Sequence, residues 1–404
     1  MKKVLIISAV FPPEPVVSAN LSFDIADALS EKDIVTVISP KPSRPFGFNF
    51  DASNTKFKFK HIQTNTFICP QSSILGRFKE SYSFGKYCYN YIVENHNDID
   101  IIYANTWPLI AQYYTVKAAK KNKIPVIIHV QDIYPESLTN KLPFVGSLIS
   151  LLLMPIDKYI LKNADKIIAI SEKMKMYLVN TRNIETDKVI VIQNWQDEKS
   201  FTQYREQKNI GDNQNKSFTF MYLGNIGPVA GIDILIDAFA DAKLPNSRLI
   251  IAGAGSMKES LEKKAENLMV TAIEFWDVPN GKVPETQALA DILLLPIKKG
   301  ASSSSIPSKL PAYMFSKKPI IANADEGSDS ANCIKESGCG YVLEPENIEQ
   351  LSKCMTEMVN LSKDQLDKMG ENGLSFAQSN FSKTVNLKKV TAIIENTIMT
   401  QIKN

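Results

Sequence analysis

The sequence predicts an α/β protein made of two Rossmann-like domains. Three observations lead there. At 404 residues the chain is too long for one ordinary hydrophobic core. Short continuous apolar runs alternate with segments of helical periodicity, the pattern of parallel strands covered on both faces. A polar, Asn/Gln/Lys-rich stretch at residues 196–217 interrupts the alternation, which then starts afresh.

The elements follow in order. "KVLIISAVF" is apolar and of strand length, and "SANLSFDIADALSEK" sets Leu21, Ile25, Ala28 and Leu29 at helical spacing. "DIVTVIS" and "DIDIIYAN" read as the next strands, "LIAQYYTVKAAKKN" as a helix, and "IPVIIHVQD", "ADKIIAIS" and "DKVIVIQNW" as further strands. Beyond the polar stretch come the strand "FTFMYLG", the helix "GIDILIDAFADAK", the strand "SRLIIAGAG" and the helix "SMKESLEKKAENL". "TAIEFWD", "DILLLPI" and "KPIIAN" complete the second set of strands, and "NFSKTVNLKKVTAIIENTI" is a helix with no strand after it. The expected organisation is a first domain at 1–197, a second at 198–384, and a helix at 385–404 crossing back to the first. Two facing domains of this kind place a cleft between the carboxyl ends of their sheets, where ligands bind.

Bulk properties exclude several classes. Hydrophobic and charged fractions of 44% and 22% are those of a folded globular protein, without a tract that argues for disorder. A formal charge of +3 is nearly balanced, so no nucleic-acid partner is expected. Cys69, Cys88, Cys333, Cys339 and Cys354 form no C-x-x-C pair and read as reduced thiols, neither a disulfide frame nor a zinc site. The basic, apolar start "MKKVLIISAVFPPEP" is short and lacks a small-residue cleavage site, so it fits a buried first strand and a cytoplasmic chain.

One stretch breaks the alternation. "LPFVGSLISLLLMPIDKYILKNAD" is apolar through most of residues 142–156 but shorter than the ~20 residues a membrane span needs. It reads either as a buried helix or as a helix lying on the inner membrane surface. In the second case Lys117, Lys120, Lys121, Lys123, Lys141, Lys158, Lys162 and Lys166 could meet anionic headgroups. Peripheral attachment is the expectation.

The chemistry-bearing segments concentrate in the second half. "SSSSIPSKLPAYMF", residues 302–315, sets hydroxyls and one ammonium before a helix whose Pro311 fits only a first turn. Ser308 and Lys309 then stand at its start, as a solvated cap or as an anion seat. "GNIGPVAGID" follows the first strand of the second domain, where glycines allow a tight turn or close approach to a ligand. "AGAGSMKE" occupies the equivalent place one unit later, and without a third glycine it is weak evidence for a dinucleotide. In the first domain "HVQDIYPES" ends a strand and places His129 and Asp132 near the cleft rim. Asp98 and Asp100 precede a buried strand and read as its lead-in, not as a metal site, and no His/Cys/carboxylate cluster has ligand spacing.

Taken in order, "FPPEP", "DIYPES", "ADKIIAISEKMKMYL" with "VIVIQNW", "YLGNIG", "GIDILIDAF", "IIAGAGSMKESL" and "IPSKLPAYMFSKKPIIA" resemble a family-4 glycosyltransferase of the GT-B fold. "DIYPES" together with the PSK segment is most similar to bacterial enzymes that build O-antigen or capsule units on a polyprenyl diphosphate, some of them transferring N-acetylfucosamine-type sugars. The resemblance implies a retaining enzyme without a bound metal or other cofactor. It implies a nucleotide sugar, UDP-linked, on the second domain and a lipid-linked saccharide acceptor on the first. The implied donor-binding residues are Gly224, Asn225, Gly227, Gly253, Gly255, Val278, Ser304, Ser305, Ser308, Lys309 and Leu310. The acceptor side would include Pro13, Glu14 and Ser18, and the catalytic candidates are Lys309, Asp132, His129 and Glu326.

The chain departs from the family pattern in places. Asn225 and Ala230 stand where many members carry an arginine and a lysine, Ser304 and Ala312 where many carry two glutamates, and Val17 and Ser18 in the region of paired glycines. Either hydroxyls and backbone hold the donor, with Glu14 or Glu326 supplying a carboxylate near the sugar, or activity has been lost. The alternatives are therefore a non-catalytic saccharide-binding or assembly subunit, or a nucleotide-sugar epimerase using His129.

Overall fold

The computed structural model describes residues 1–44, 50, 56–71, 73–105, 108–139, 146–207, 217–228, 230–279, 281–300 and 306–402. They form two compact units, residues 1–194 with 386–404 and residues 195–385.

The first unit holds strands β1 (Lys3–Ile7), β2 (Ile34–Pro40), β3 (Lys60–Thr64), β4 (Ile101–Asn105), β5 (Val126–Val130), β6 (Lys166–Ala169) and β7 (Val189–Val191). They pair in parallel in the order β3-β2-β1-β4-β5-β6-β7. Every residue of β4 and β5 is buried, as helices on both faces of a parallel sheet require. The second unit repeats the plan with β8 (Phe218–Leu223), β9 (Ser247–Ala252), β10 (Ile273–Trp276), β11 (Ile292–Pro296), β12 (Ile320–Asn323) and β13 (Gly340–Leu343). Its order is β10-β9-β8-β11-β12-β13, again all parallel. In each sheet the winding direction reverses once, between β1 and β4 and between β8 and β11. Ligands of open α/β sheets bind at that reversal.

The polar stretch is more than a linker. Its front belongs to the second unit, where Gln196 bridges Ser382, and Glu198 accepts bonds from the Ser382 hydroxyl (2.6 Å) and the Lys383 amide (2.9 Å). The helix Lys199–Gln207 buries Phe201 against Phe315, and Arg205 donates to the Phe315 carbonyl. The unit boundaries accordingly fall at Asn194/Trp195 and Val385/Asn386. The terminal helix Lys383–Ile402 counts with the first unit from Asn386 onward, where Asn386 donates to the Gln193 carbonyl at 3.0 Å and Val390, Ile394 and Ile398 are buried.

The apolar stretch of the first unit forms the helix Gly146–Asn163, with Pro155 inside it. It is amphipathic, so neither a wholly buried nor a wholly exposed helix describes it. Leu153, Ile160 and Leu161 are buried, while Leu148, Leu151 and Leu152 are 62%, 71% and 66% exposed. No helix among the described residues is long and apolar enough to cross a membrane.

A buried guanidinium ties this helix to the loop that follows β5. Arg182 is 0% exposed, and its Nε donates to Asp157 at 2.7 Å. Its terminal nitrogens donate to both Glu136 oxygens at 2.7 Å and to the Tyr134 carbonyl at 2.9 Å. Burial pushes Asp157 up to about 6, against the pull of Arg182. Removing one member of a buried charge set leaves the others unpaired and costs about 3–5 kcal/mol. Arg182→Met is therefore expected to lower the unfolding free energy of the first unit by that amount, read as a lower urea midpoint, with the unfolding of the second unit unmoved.

Candidate active site

Two glycine turns meet at the carboxyl end of the second sheet. Gly224 follows β8 and Gly253 follows β9, both at positive φ (157° and 136°). A Cβ on Gly253 would lie 2.0 Å from the Gly224 carbonyl oxygen, so the two backbones touch where no side chain fits. Hydrogen bonds from Gly224 to the Ala252 carbonyl (3.0 Å) and from Ile226 to the Ala254 carbonyl (2.8 Å) hold the turns together. The amides of Asn225 and Gly227 donate to no group among the described residues.

The helix Lys309–Phe315 arrives at the same place from beyond β11. Its Tyr313 is fully buried, and the hydroxyl accepts from the Leu223 amide (2.9 Å) and donates to the Leu223 carbonyl (3.1 Å). Leu310 is also buried, so the first turn is locked against the end of β8. The Lys309 stem then crosses Gly224 so closely that a Cβ there would fall 1.9 Å from Lys309 Cε. Lys309 Nζ stands 5.3 Å from the centre of the Tyr222 ring, and the Tyr222 hydroxyl donates to the Asn225 carbonyl at 2.7 Å.

No carboxylate lies within 4.0 Å of this ammonium among the described residues. Burial alone shifts Lys309, lowering its pKa from the usual lysine range. A half-buried cation without a counter-ion favours an incoming anion, which restores part of the solvation it lost. Ser308 stands at the N-cap position, exposed, and its side chain makes no capping bond. Ser304 and Ser305 lie outside the described residues.

The remaining donor-side candidates surround this point. Asn225 and Gly255 are exposed, Gly227 is buried, and Val278, after β10, is half-buried against the core. Glu326 follows β12, but its carboxylate is 81% exposed and takes both bonds, at 2.6 and 2.7 Å, from Lys335. That pairing makes it a surface ion pair, engaged with Lys335 and turned to solvent.

In the first unit two candidates are corrected. His129, expected near a rim, is 0% exposed inside β5, with Nδ1 2.6 Å from the Tyr103 hydroxyl. Burial pushes it down to about 3, so it is neutral and out of reach of a substrate, and the epimerase reading loses its acid–base group. Glu14, expected as an accessible carboxylate, is buried and accepts amide bonds from Phe11 (3.1 Å), Ser43 (2.8 Å) and Arg44 (2.9 Å). It brackets the loop after β1 against the segment after β2. Pro13 beside it is exposed, while the Ser18 hydroxyl donates to Gln131 at 2.6 Å. Asp132 lines a small recess with Gln112, Tyr134 and Asp157. Asp98 and Asp100 bind the Lys3 ammonium (2.5 Å) and amide (2.7 Å), and no group of three or more metal-ligating side chains occurs among the described residues.

Comparison with known proteins carries the chemistry further. The family model described as glycosyltransferase family 4 matches residues 19–199, and that described as glycosyl transferases group 1 matches residues 203–376. The chain is 25% identical over 307 residues to the probable glycosyltransferase WbjE of Pseudomonas aeruginosa, 73% of this chain and 74% of that protein. The chain is a glycosyltransferase of the GT-B type. The putative colanic acid biosynthesis glycosyl transferase WcaI of Escherichia coli is 25% identical over 261 residues, 61% of this chain and 62% of its own. The crystal structure of HepE from Anabaena in complex with UDP superposes with a TM-score of 0.69 at 16% identity, covering 98% of this glycosyltransferase and 100% of HepE.

Sequence reasoning reached Lys309 and the glycines but missed Tyr222 and Tyr313. The available signal was a tyrosine amid buried apolar residues, whose hydroxyl must find a partner. The packing of Lys309 on Gly224 is directly testable. In lysine-methylated protein followed by NMR, Lys309 is expected to titrate below the ordinary lysines, and in Gly224→Ala, which evicts the stem, to move up towards them.

Proposed function

We propose that this glycosyltransferase moves a sugar from a UDP-linked donor, with retention and without a resident metal, to a polyprenyl-diphosphate-linked saccharide in O-antigen or capsule-type assembly. The observation that carries the donor half is Lys309, a half-buried ammonium with no counter-ion among the described residues, at the reversal point of the second sheet. As the bond between the sugar and the diphosphate breaks, negative charge grows on the leaving oxygen. A cation already desolvated and in place stabilises that charge more than it stabilises the intact donor. The amides of Asn225 and Gly227, which have no partner among the described residues, and the Ser308 hydroxyl would share the diphosphate. An N-acetylated amino-deoxyhexose is the transferred sugar that the sequence resemblance favours. The UDP complex of HepE and the biosynthetic name of WcaI support the donor and the setting. On the acceptor side Asp132 is the remaining candidate, lining a recess with Gln112, Tyr134 and Asp157, whereas His129 and Glu14 are buried.

UDP at 100 times its dissociation constant adds ~2.7 kcal/mol to a protein that binds it, about 5 °C or more in melting temperature. Wild-type protein is expected to show that shift with UDP, and Lys309→Ala to lose it along with about 100-fold or more in sugar release from labelled donor. UDP binding without sugar release from any UDP-sugar would instead favour the saccharide-binding subunit.

The exposed leucines of the helix Gly146–Asn163 support a location on the inner face of a membrane, where a lipid-linked acceptor is found. Leu148, Leu151 and Leu152 form an apolar edge that water disfavours and an acyl layer would cover. In co-sedimentation with vesicles containing phosphatidylglycerol, the wild type is expected to bind. The triple Leu148→Ser, Leu151→Ser, Leu152→Ser variant should bind about tenfold more weakly at unchanged stability.

A further inference from the structure

We infer that Tyr222 is the positioning residue of the diphosphate seat, acting on Lys309 through its ring and on the 224–227 turn through its hydroxyl. The inference rests on the donor-site reading above and adds a residue with two separable roles.

Tyr222 is the penultimate residue of β8 and is 1% exposed, so it cannot meet a ligand by itself. Its ring face lies 5.3 Å from Lys309 Nζ, within the range where the negative face of an aromatic ring attracts a cation. Burial weakens the ammonium, and no carboxylate among the described residues compensates it. The ring is therefore the group that keeps Lys309 charged and in place without neutralising it. A carboxylate there would form an ion pair and compete with phosphate, whereas a ring face attracts the cation and leaves its outer hemisphere open. The Tyr313 hydroxyl, also packed nearby, is committed to both backbone groups of Leu223.

The hydroxyl does separate work. It donates at 2.7 Å to the Asn225 carbonyl, and that bond fixes the Asn225–Ile226 peptide inside the 224–227 turn. The neighbouring amides of Asn225 and Gly227 are the ones with no partner among the described residues. One side chain thus registers the charge and the backbone donors against each other.

The two roles can be separated in UDP binding measured by calorimetry. Tyr222→Phe keeps the ring and releases the turn. Tyr222→pentafluorophenylalanine also releases the turn and, at almost unchanged shape, reverses the charge of the ring face. Each is compared in the wild-type and in the Lys309→Met background. Tyr222→Phe is expected to weaken UDP about threefold in both backgrounds, because the turn acts independently of Lys309. The fluorinated ring is expected to weaken UDP a further three- to tenfold when Lys309 is present, and not when it is methionine. Equal affinity of the phenylalanine and fluorinated variants with Lys309 present would overturn the ring's role, as would an equal loss in both backgrounds. Wild-type affinity of Tyr222→Phe would overturn the hydroxyl's role. If Lys309→Met alone leaves UDP affinity unchanged, the donor-site reading itself falls, a result visible before any Tyr222 variant is compared.

Discussion

Desolvating an ammonium without giving it a counter-ion is costly, and the described residues of the second unit are arranged around holding one, Lys309. The cost is reduced in three ways that depend on one another. Gly224 lets the Lys309 stem lie against bare backbone, which needs the close approach of the Gly224 and Gly253 turns. Tyr313 pins the helix that carries Lys309 to the end of β8. The Tyr222 face offsets part of the lost hydration without presenting an anion. A buried group left short of compensation marks a functional site more reliably than one fully satisfied, because folding alone gives no reason to keep the deficit.

The first unit shows the opposite arrangement. Arg182 satisfies its donors with two carboxylates and a carbonyl, and Glu14 collects three backbone amides. His129 is held neutral beside Tyr103. These groups spend their hydrogen-bonding capacity on loop geometry. Arg182 in particular fixes Tyr134 and Glu136, close in the chain to Asp132. These buried charges of the first unit are structural devices that hold its loops.

The departures from the family pattern acquire a physical meaning in this light. Asn225 stands where many members carry a cation, and Ala312 where many carry a carboxylate. Among the described residues Lys309 has no carboxylate partner, so its charge is left open to an anion. Charge on Lys309 and donors on the backbone suffice in principle to hold a diphosphate, since phosphate recognition needs positive potential and N–H groups more than any particular side chain.

The fold was legible because parallel strands buried on both faces announce themselves locally: "VLII" and "ILLLP" are continuous apolar runs, and "VIIHV" is one broken by His129 alone. Elements without that signature were not legible. β3, "KHIQT", is a polar edge strand, and the helix Lys199–Gln207 hides in a polar stretch, with Phe201 as a buried apolar anchor. The helix Ile74–Glu94 mixes tyrosine, serine and glycine too evenly to show a stripe. At the site, the sequence alone determined the glycine turns and the lysine after a serine-rich loop, because turn chemistry and residue type are local. The tertiary structure alone decided which charged groups are compensated. Tyr313 meets a partner 90 residues away, Glu14 one 29 away, and His129 one 26 away. Burial and pairing are set by what folds over a residue, and its neighbours in the chain do not record that.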